Sequence, residues 1–294
     1  MAVSESGSSS SYDAGLPWVF KGSALYQLHL VKAETARAFI PKEFRLVEAF
    51  GYNLGGLFLA HYDDSPAGVF DELVVIAGIV WNLPTSCAWA ARVLVNSHEA
   101  CKHGRKYVGL PSHVATFSKQ RVEIMPEKPK SKYNHLLTMM GVENNIHRRK
   151  EGMEIQVTEI NDSCSTAFCN INLKTAEPGS KLTRQWRGPP IRMSLPSFSG
   201  HTEHHPQFLK YSCDIECRIR PVPPAKISKP PTPSHDQSSS GEMGAVEILN
   251  VENSSDSDEH NRKISLLLLS KPILALEFSS MQLKVGAPRI VEPR

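Results

Sequence analysis

Ser112 and His113 follow a sharp turn and carry side chains that take part in nucleophilic and proton-transfer chemistry. The turn contains Gly109, whose backbone is unusually free, and Pro111, whose ring restricts its own backbone angle. This pairing indicates a tight connection from a helix to a strand that aims the next two side chains in a defined direction. If a reactive side chain stands at this turn, the protein can be an enzyme; if none does, it retains only an enzyme's fold.

Four acidic residues lie close together in the sequence, and paired carboxylates can transfer protons in catalysis. Asp63 and Asp64 precede a Ser-Pro pair, a pattern typical of a solvated turn. Asp71 and Glu72 lead instead into the apolar stretch Leu73–Trp81, which is typical of a buried strand. Because a buried carboxylate requires partners, Glu72 indicates either an internal cavity or a strand end.

A set of histidines and cysteines has the side-chain types that bind zinc, namely His201, His204, His205, Cys213 and Cys217. Their spacing matches no familiar zinc module, which favours loop histidines and core thiols over a metal site. We therefore expect no metal. The chain has six cysteines without a Cys-x-x-Cys pair, and we expect them to be reduced.

The composition is that of an ordinary globular protein. Of the 294 residues, 40% are hydrophobic and 21% are charged, and the net charge of +3 is too small to indicate a nucleic-acid partner. No stretch of eighteen apolar residues occurs, so we expect no transmembrane segment. The Ser-rich stretch Met1–Ala14 contains acidic residues but no arginine, which fits a plastid transit peptide poorly. We expect a cytoplasmic location, with the chloroplast as the alternative.

The hydrophobic pattern predicts one β domain. Many short segments alternate between apolar and polar residues, most clearly Lys210–Pro221, and few helices are indicated. Such a pattern favours a mainly β (α+β) fold, with a largely antiparallel sheet closed into a barrel. We expect a disordered tail over 1–14, a single domain over 15–222 and 264–290, and a disordered Pro/Ser/acidic insertion over 223–263.

Several individual elements are also expected. A short helix capped by Asn96 should end near Gly104, and another helix is expected around 136–140. The apolar segments near the C-terminus predict strands at 264–269, 273–278 and 281–285.

The pair Asp71-Glu72 before an apolar strand, together with Tyr107–His113, resembles the acetoacetate decarboxylase-like superfamily. This resemblance implies a mostly β, barrel-like fold around an interior cavity. It also implies, for the enzymes, a Schiff-base lysine just after an aromatic-Pro pair. In those enzymes a second lysine lowers the pKa of the first, and a glutamate and an arginine line the pocket.

Four longer stretches resemble the plant neoxanthin-deficient 1 family within that superfamily: Pro17–Lys21, Ala24–Lys32, Ala60–Val75 and Leu195–Gly200. The resemblance extends from about residue 16 to 222 and resumes near 265. It implies a role in making neoxanthin from violaxanthin, upstream of abscisic acid. The role it implies is that of an accessory factor rather than of the converting enzyme.

The enzyme pattern is retained only in part. Glu72 stands at the position of the pocket glutamate, but Ser112 and His113 stand at the two lysine positions. Near the arginine position the chain has Lys21-Gly22-Ser23, without an arginine, and Lys106 lies before the turn. Neither a serine nor an imidazole forms a stable Schiff base with a ketone. The residues expected to line the pocket are Glu72, Lys106, Tyr107, Pro111, Ser112 and His113.

Two hypotheses follow. The first is a non-catalytic accessory protein whose cavity shelters a hydrophobic isoprenoid or carotenoid-related molecule, or which contacts a carotenoid-pathway enzyme. The second is a lyase or hydrolase that uses Glu72 and His113 as acid and base. We expect no cofactor, and the superfamily resemblance implies a homo-oligomer.

Overall fold

The computed structural model of the protein describes Tyr12 and residues 15–83, 85–124, 150–161, 164–174, 189–229 and 256–292. Strands account for most of these residues, as the sequence predicted. No helix among the described residues is long and apolar enough to cross a membrane.

Fifteen strands and three α-helices make up the described chain. In order they are β1 (Trp18–Lys32), α1 (Ala33–Arg37), β2 (Glu48–Ala49), β3 (Tyr52–Asp64), β4 (Phe70–Asn82), β5 (Thr85–Val95), α2 (His98–His103), β6 (Ser112–Ile124), β7 (Lys150–Asn161), β8 (Cys164–Lys174), β9 (Ile191–Ser194), β10 (Ser197–Thr202), β11 (His205–Tyr211), β12 (Cys213–Pro221), β13 (Lys226–Ser228), α3 (Asp256–Leu268), β14 (Lys271–Val285) and β15 (Arg289–Ile290). A single π-helical turn, Gly104–Val108, continues α2.

The main path through the sheet has the order β13-β8-β7-β6-β5-β4-β3-β1-β14-β12-β9. Neighbours on this path are antiparallel except β5 and β6, which pair in parallel over Val93–Val95. Strand β10 also pairs with β5 in parallel, at Ala88 and Trp89. The predicted mainly antiparallel β fold is therefore confirmed.

The sheet is open, so the predicted closed barrel is wrong in that respect. One edge of strand β5 pairs with two different strands, with β10 at Ala88 and Trp89 and with β6 over Val93–Val95. The sheet divides between these two pairings. Strand β9 pairs with β12, and the chain then changes partners at Pro196 to become β10. Because Pro196 has no N–H group, it cannot donate to a continuous ladder across this junction.

Strand β1 separates two hydrophobic cores because its side chains alternate between the faces of the sheet. Trp18 and Tyr26 pack into the core that surrounds an internal cavity. Gln27 and Val31 belong to the opposite face, where Val31 is fully buried and the Gln27 amide bonds to the backbone of Ala225. Helices α1 and α3 cover this second face.

Helix α3 replaces the strand predicted at 264–269 and also orders the end of the predicted disordered insertion. Ile264, Leu267 and Leu268 follow helical spacing and are almost completely buried on the sheet. A short apolar run has no periodicity that distinguishes a strand from a buried helix, so burial decided the outcome. The start of the same insertion forms β13. Residues 230–255 and the helix predicted around 136–140 lie outside the described residues.

Helix α2 begins at Ser97, whose side chain accepts from the Ala100 N–H at 3.2 Å. Asn96, the predicted cap, instead accepts from the Asp71 N–H through its side-chain oxygen at 2.7 Å. Helix α2 ends at His103 with Gly104 as its C-cap, so the predicted end near Gly104 is confirmed, and the π-helical turn Gly104–Val108 follows directly. A glycine suits position 104 because a Cβ there would lie only 2.8 Å from the Ser112 hydroxyl oxygen.

Candidate functional site

An internal cavity of about 280 Å³ lies within the core that surrounds β1, β3, β4 and β5. This volume is near the lower end of the range for small-molecule sites, about 300–1,000 Å³. Its walls are mostly aromatic and aliphatic, and include Trp18, Phe20, Tyr26, Phe58, Phe70 and Leu283. No lysine or arginine occurs among the described residues that line it. The cavity therefore suits a mainly apolar, uncharged molecule.

Glu72 is the one carboxyl group among the described lining residues of this cavity. It projects from β4 toward Tyr62 of β3, whose hydroxyl donates to Glu72 Oε2 at 2.7 Å. Desolvation by burial raises the pKa of Glu72, although the bond from Tyr62 acts in the opposite direction. Burial raises the pKa of Tyr62 well above its ordinary value, and the neighbouring Glu72 carboxyl raises it further. The pair therefore favours its uncharged form.

Ser112, which the superfamily resemblance aligns with the first lysine position, also lines the cavity and is 2% exposed. The turn before it is held by two hydrogen bonds from strand β10. Gly109 adopts the left-handed conformation, with φ of 67°, and its carbonyl accepts from the Gly200 N–H at 2.9 Å. Ser199 donates to the Val108 carbonyl at 2.5 Å. Strand β10 thus positions the turn that presents Ser112.

His113 points away from the cavity, because adjacent residues of a strand face opposite sides. Its Nδ1 lies 2.9 Å from Glu159 Oε1, and it lines a separate polar pocket at the surface together with Lys106. The second hypothesis requires Glu72 and His113 in one site, and the structure does not bring them together. The two side chains lie on opposite faces of the sheet.

The remaining predicted pocket residues also lie outside the cavity. Tyr107 is 50% exposed, with the Lys106 ammonium 5.0 Å from its ring centroid. Pro111 is partly buried but does not line the cavity. Lys21, which the superfamily resemblance places near the pocket arginine, is exposed and bonds to Asp64 at 2.8 Å. Of the six residues expected in the pocket, Glu72 and Ser112 face it.

The histidines and cysteines that the sequence offered as zinc ligands are dispersed. His201 stacks on Phe208, and His204 lines the surface pocket. Cys213 faces the cavity, where burial raises the pKa of its thiol to about 12. No group of three or more metal-ligating side chains occurs among the described residues.

Sequence reasoning missed an aromatic cluster that lines the cavity. The imidazole of His103, from α2, stacks on Tyr12 with ring centroids 3.6 Å apart, and Trp18 contacts it edge-on at 4.2 Å. Burial lowers the pKa of His103 to about 4, so the ring is neutral at physiological pH. Tyr12 falls in the tail predicted to be disordered, and no sequence signal distinguished His103 from a helix-end histidine.

Glu72→Gln is expected to raise the free energy of unfolding by about 1 kcal/mol at neutral pH and to have no effect near pH 4. The folded state raises the pKa of Glu72 above the ordinary 4.5, so it binds the proton more tightly than the unfolded chain. Stability is therefore lost as pH rises from 4.5 toward the folded-state pKa. A glutamine does not ionise, and its oxygen can still accept from Tyr62.

Urea denaturation at both pH values measures this difference, with the exposed Glu43→Gln as the control variant. A gain at neutral pH equal to the gain at pH 4, or a loss at neutral pH, would contradict the neutral-carboxyl interpretation.

Comparison with solved structures defines the class to which this fold belongs. An acetoacetate decarboxylase from Legionella pneumophila superposes with a TM-score of 0.53 at 12% identity, covering 99% of this chain and 98% of that chain. An enduracididine biosynthesis enzyme superposes with a TM-score of 0.52 at 10% identity, covering 100% and 94%. The protein therefore has the acetoacetate decarboxylase-like fold.

Sequence relatives define the family. The proteins named NEOXANTHIN-DEFICIENT 1 from Oryza sativa subsp. japonica and Solanum lycopersicum are each 56% identical to this chain, over 291 and 275 residues. They cover 98% and 94% of this chain, and 93% and 92% of their own lengths. The protein of the same name from Arabidopsis thaliana is 52% identical over 300 residues, covering 100% and 99%. No protein-family model matches the chain. The chain belongs to the NEOXANTHIN-DEFICIENT 1 family.

Proposed function

We propose that the protein acts in the formation of neoxanthin from violaxanthin, upstream of abscisic acid, as an accessory factor rather than as the converting enzyme. The family relatives, at 52–56% identity, support the pathway. The observation that carries the non-catalytic role is that Ser112 faces the cavity, at the position where the sequence resemblance implies a lysine in the superfamily's enzymes. A hydroxyl group cannot replace the amine in Schiff-base chemistry.

The cavity is the proposed ligand site, and the proposed ligand is a hydrophobic isoprenoid or carotenoid-related molecule. The aromatic and aliphatic walls support this class of ligand, because transfer of apolar surface out of water drives its binding. A carotenoid-pathway enzyme that contacts the surface is the second proposed partner.

The direct test is incubation of purified protein with violaxanthin, followed by chromatographic analysis for neoxanthin. We expect violaxanthin to remain unchanged. In plants, neoxanthin content should follow the level of the protein. Conversion by the purified protein alone would overturn the accessory role.

The raised pKa of Glu72, caused by burial, favours a second candidate, a lyase or hydrolase with Glu72 and His113 as acid and base. The orientation of His113 toward Glu159 argues against that pairing. If activity is found with a small substrate and survives both Glu72→Gln and His113→Ala, this second candidate is excluded as well.

Borohydride reduction in the presence of small keto acids is expected to give no covalent adduct on the protein. The physical reason is that no lysine occurs among the described residues lining the cavity, so no amine is desolvated there to attack a ketone. Intact-mass analysis measures the outcome, and an acetoacetate decarboxylase is the positive control. An adduct on any lysine would require a different interpretation of the Ser112 turn.

We further propose a cytoplasmic location, from the composition of the N-terminal stretch, with the chloroplast as the alternative. Imaging of a C-terminal fluorescent fusion in plant cells decides between the two. A homo-oligomer is also proposed, and light scattering of the purified protein measures its mass.

A further inference from the structure

One buried polar atom in the cavity wall lacks a partner. Four buried side-chain nitrogen or oxygen atoms of the described residues have no hydrogen-bond partner: His29 Nδ1, His103 Nε2, Asn170 Oδ1 and His205 Nδ1. Of these four residues, His103 alone lines the cavity, and it is 7% exposed. An unpaired buried polar atom destabilises a fold, so its presence beside a ligand-sized space calls for an explanation.

The surroundings of His103 hold its ring in a fixed orientation. Tyr12 stacks on one face at a centroid distance of 3.6 Å and an interplanar angle of 11°, and Trp18 packs edge-on at 89°. Both aromatic residues also line the cavity, so a ligand that occupies it lies against the same cluster that packs on the His103 ring. Burial keeps the imidazole neutral, so its unpaired nitrogen is suited to an uncharged hydroxyl group, which can both donate and accept.

The other ionisable groups of the cavity define which ligands fit. The Glu72 carboxyl already accepts from the Tyr62 hydroxyl. No lysine or arginine among the described lining residues is present to neutralise an anionic headgroup. A carboxylate or phosphate in this cavity would lose its hydration without a countercharge, which is strongly unfavourable.

We propose that His103 is the polar anchor of the cavity and that its Nε2 binds the hydroxyl group of an otherwise apolar, uncharged ligand. The inference rests on the proposed function in one respect, namely that the cavity binds its ligand rather than converting it. It adds the residue that selects the ligand and the chemical group that is selected.

Three fluorescent probes of similar shape test this selection at neutral pH: 2-naphthol, which has a hydroxyl group, 2-methylnaphthalene, which has a methyl group in its place, and 2-naphthoate, which is an anion. Fluorescence titration of the full chain is expected to show 2-naphthol binding about fivefold to tenfold more tightly than 2-methylnaphthalene. Binding of 2-naphthoate should be undetectable at the same concentrations.

Substitutions test whether His103 is the residue that causes the preference for 2-naphthol. His103→Leu should bind 2-naphthol and 2-methylnaphthalene within about twofold of each other, because the unpaired nitrogen proposed to distinguish them is gone. His103→Gln, which keeps a hydrogen-bonding side chain, should recover part of the preference. The matched control is His29→Leu, which removes another unpaired buried histidine nitrogen but lies on the opposite face of β1. The control should keep the full preference.

Two further measurements distinguish a ligand-binding role of His103 from a purely structural one. His103→Leu should melt at the same temperature as the wild-type protein or higher, since it removes an unpaired polar atom from the interior. The ¹⁵N chemical shift of His103 in the wild-type protein should change with 2-naphthol and not with 2-methylnaphthalene, which tests the contact even if a variant does not fold.

Equal binding of the two neutral probes to the wild-type protein, no binding of either probe, or a preference that persists in His103→Leu would overturn the anchor. None of these outcomes bears on the violaxanthin incubation. Conversely, conversion of violaxanthin by the purified protein would overturn the accessory role while leaving the probe preference intact.

Discussion

Replacing Arg92 with methionine is expected to lower the free energy of unfolding by about 3–5 kcal/mol. Arg92 Nη1 lies 2.7 Å from Glu159 Oε1, and the side chains of this pair are only 8% and 7% exposed. Arg92 Nη2 also donates to the Asn261 side-chain oxygen at 3.1 Å. The substitution leaves a buried carboxylate whose remaining side-chain partner is the imidazole of His113. The effect is large because the buried Glu159 carboxylate loses the charge of Arg92 that compensates it, rather than because the ion pair itself is strong.

Urea denaturation measures the effect, and an exposed ion pair provides the matched control. Lys21 and Asp64 lie 2.8 Å apart with side chains 55% and 66% exposed, so Lys21→Met should cost under about 1 kcal/mol. The double variant Arg92→Met/Glu159→Leu should recover most of the loss, because it removes both charges. Equal costs for Arg92→Met and Lys21→Met would contradict the buried-pair explanation.

The pH dependence of the same pair has a defined sign. Burial by itself would raise the pKa of Glu159, but the bond from His113 and the charge of Arg92 outweigh burial and lower the pKa below its ordinary 4.5. A lowered folded-state pKa contributes stability that is fully present above pH 4.5 and is lost as pH falls through the lowered value. The cost of Arg92→Met should therefore shrink in acid.

Gly200→Ala is expected to lower the free energy of unfolding by about 3–5 kcal/mol and to disturb the turn that presents Ser112. Gly200 has a φ of 89°, and an added Cβ would overlap the backbone carbonyl oxygen of Gln207. Its N–H group also donates to the Gly109 carbonyl at 2.9 Å, so a shift of β10 would break the contact that holds the turn. Reduced binding of 2-naphthol should accompany the loss of stability.

Gly68→Ala is the matched control for this substitution. Gly68 has a similar φ of 76°, but an added Cβ there meets nothing within 4 Å. Only the cost of a left-handed alanine remains, about 1–2 kcal/mol. Thermal or urea denaturation of both variants separates steric overlap from backbone strain. If the two variants lose the same stability, the close approach of β10 to the turn is not the cause.

Secondary structure could be predicted from the sequence where a segment has a clear hydrophobic periodicity, and not where it has none. Strand β12 was evident because Ile215 and Cys217 alternate with charged residues, and both are buried in the structure. The apolar run that became α3 has no such alternation, and only the groove over the sheet, where Ile264 and Leu267 are buried, favoured a helix. Closure was not predictable because it depends on how β5 divides its edge between two strands.

The candidate site divides in the same way. Glu72 was evident from the sequence because a carboxyl group at the start of an apolar strand requires a partner. Its partner, Tyr62, was not evident, because their pairing depends on the register between β3 and β4. His103 was missed because a histidine at a helix end is ordinary until packing leaves its Nε2 without a partner.

The sequence by itself therefore determined the mainly β class, the family, and the placement of Ser112 and His113 directly after the Gly109–Pro111 turn. Local residue types and spacing contain that information. Only the tertiary structure decided that Ser112 faces the cavity while His113 pairs with Glu159 outside it. The alternation of a strand requires neighbouring side chains to face opposite sides, but the packing of the rest of the chain decides which side encloses the cavity.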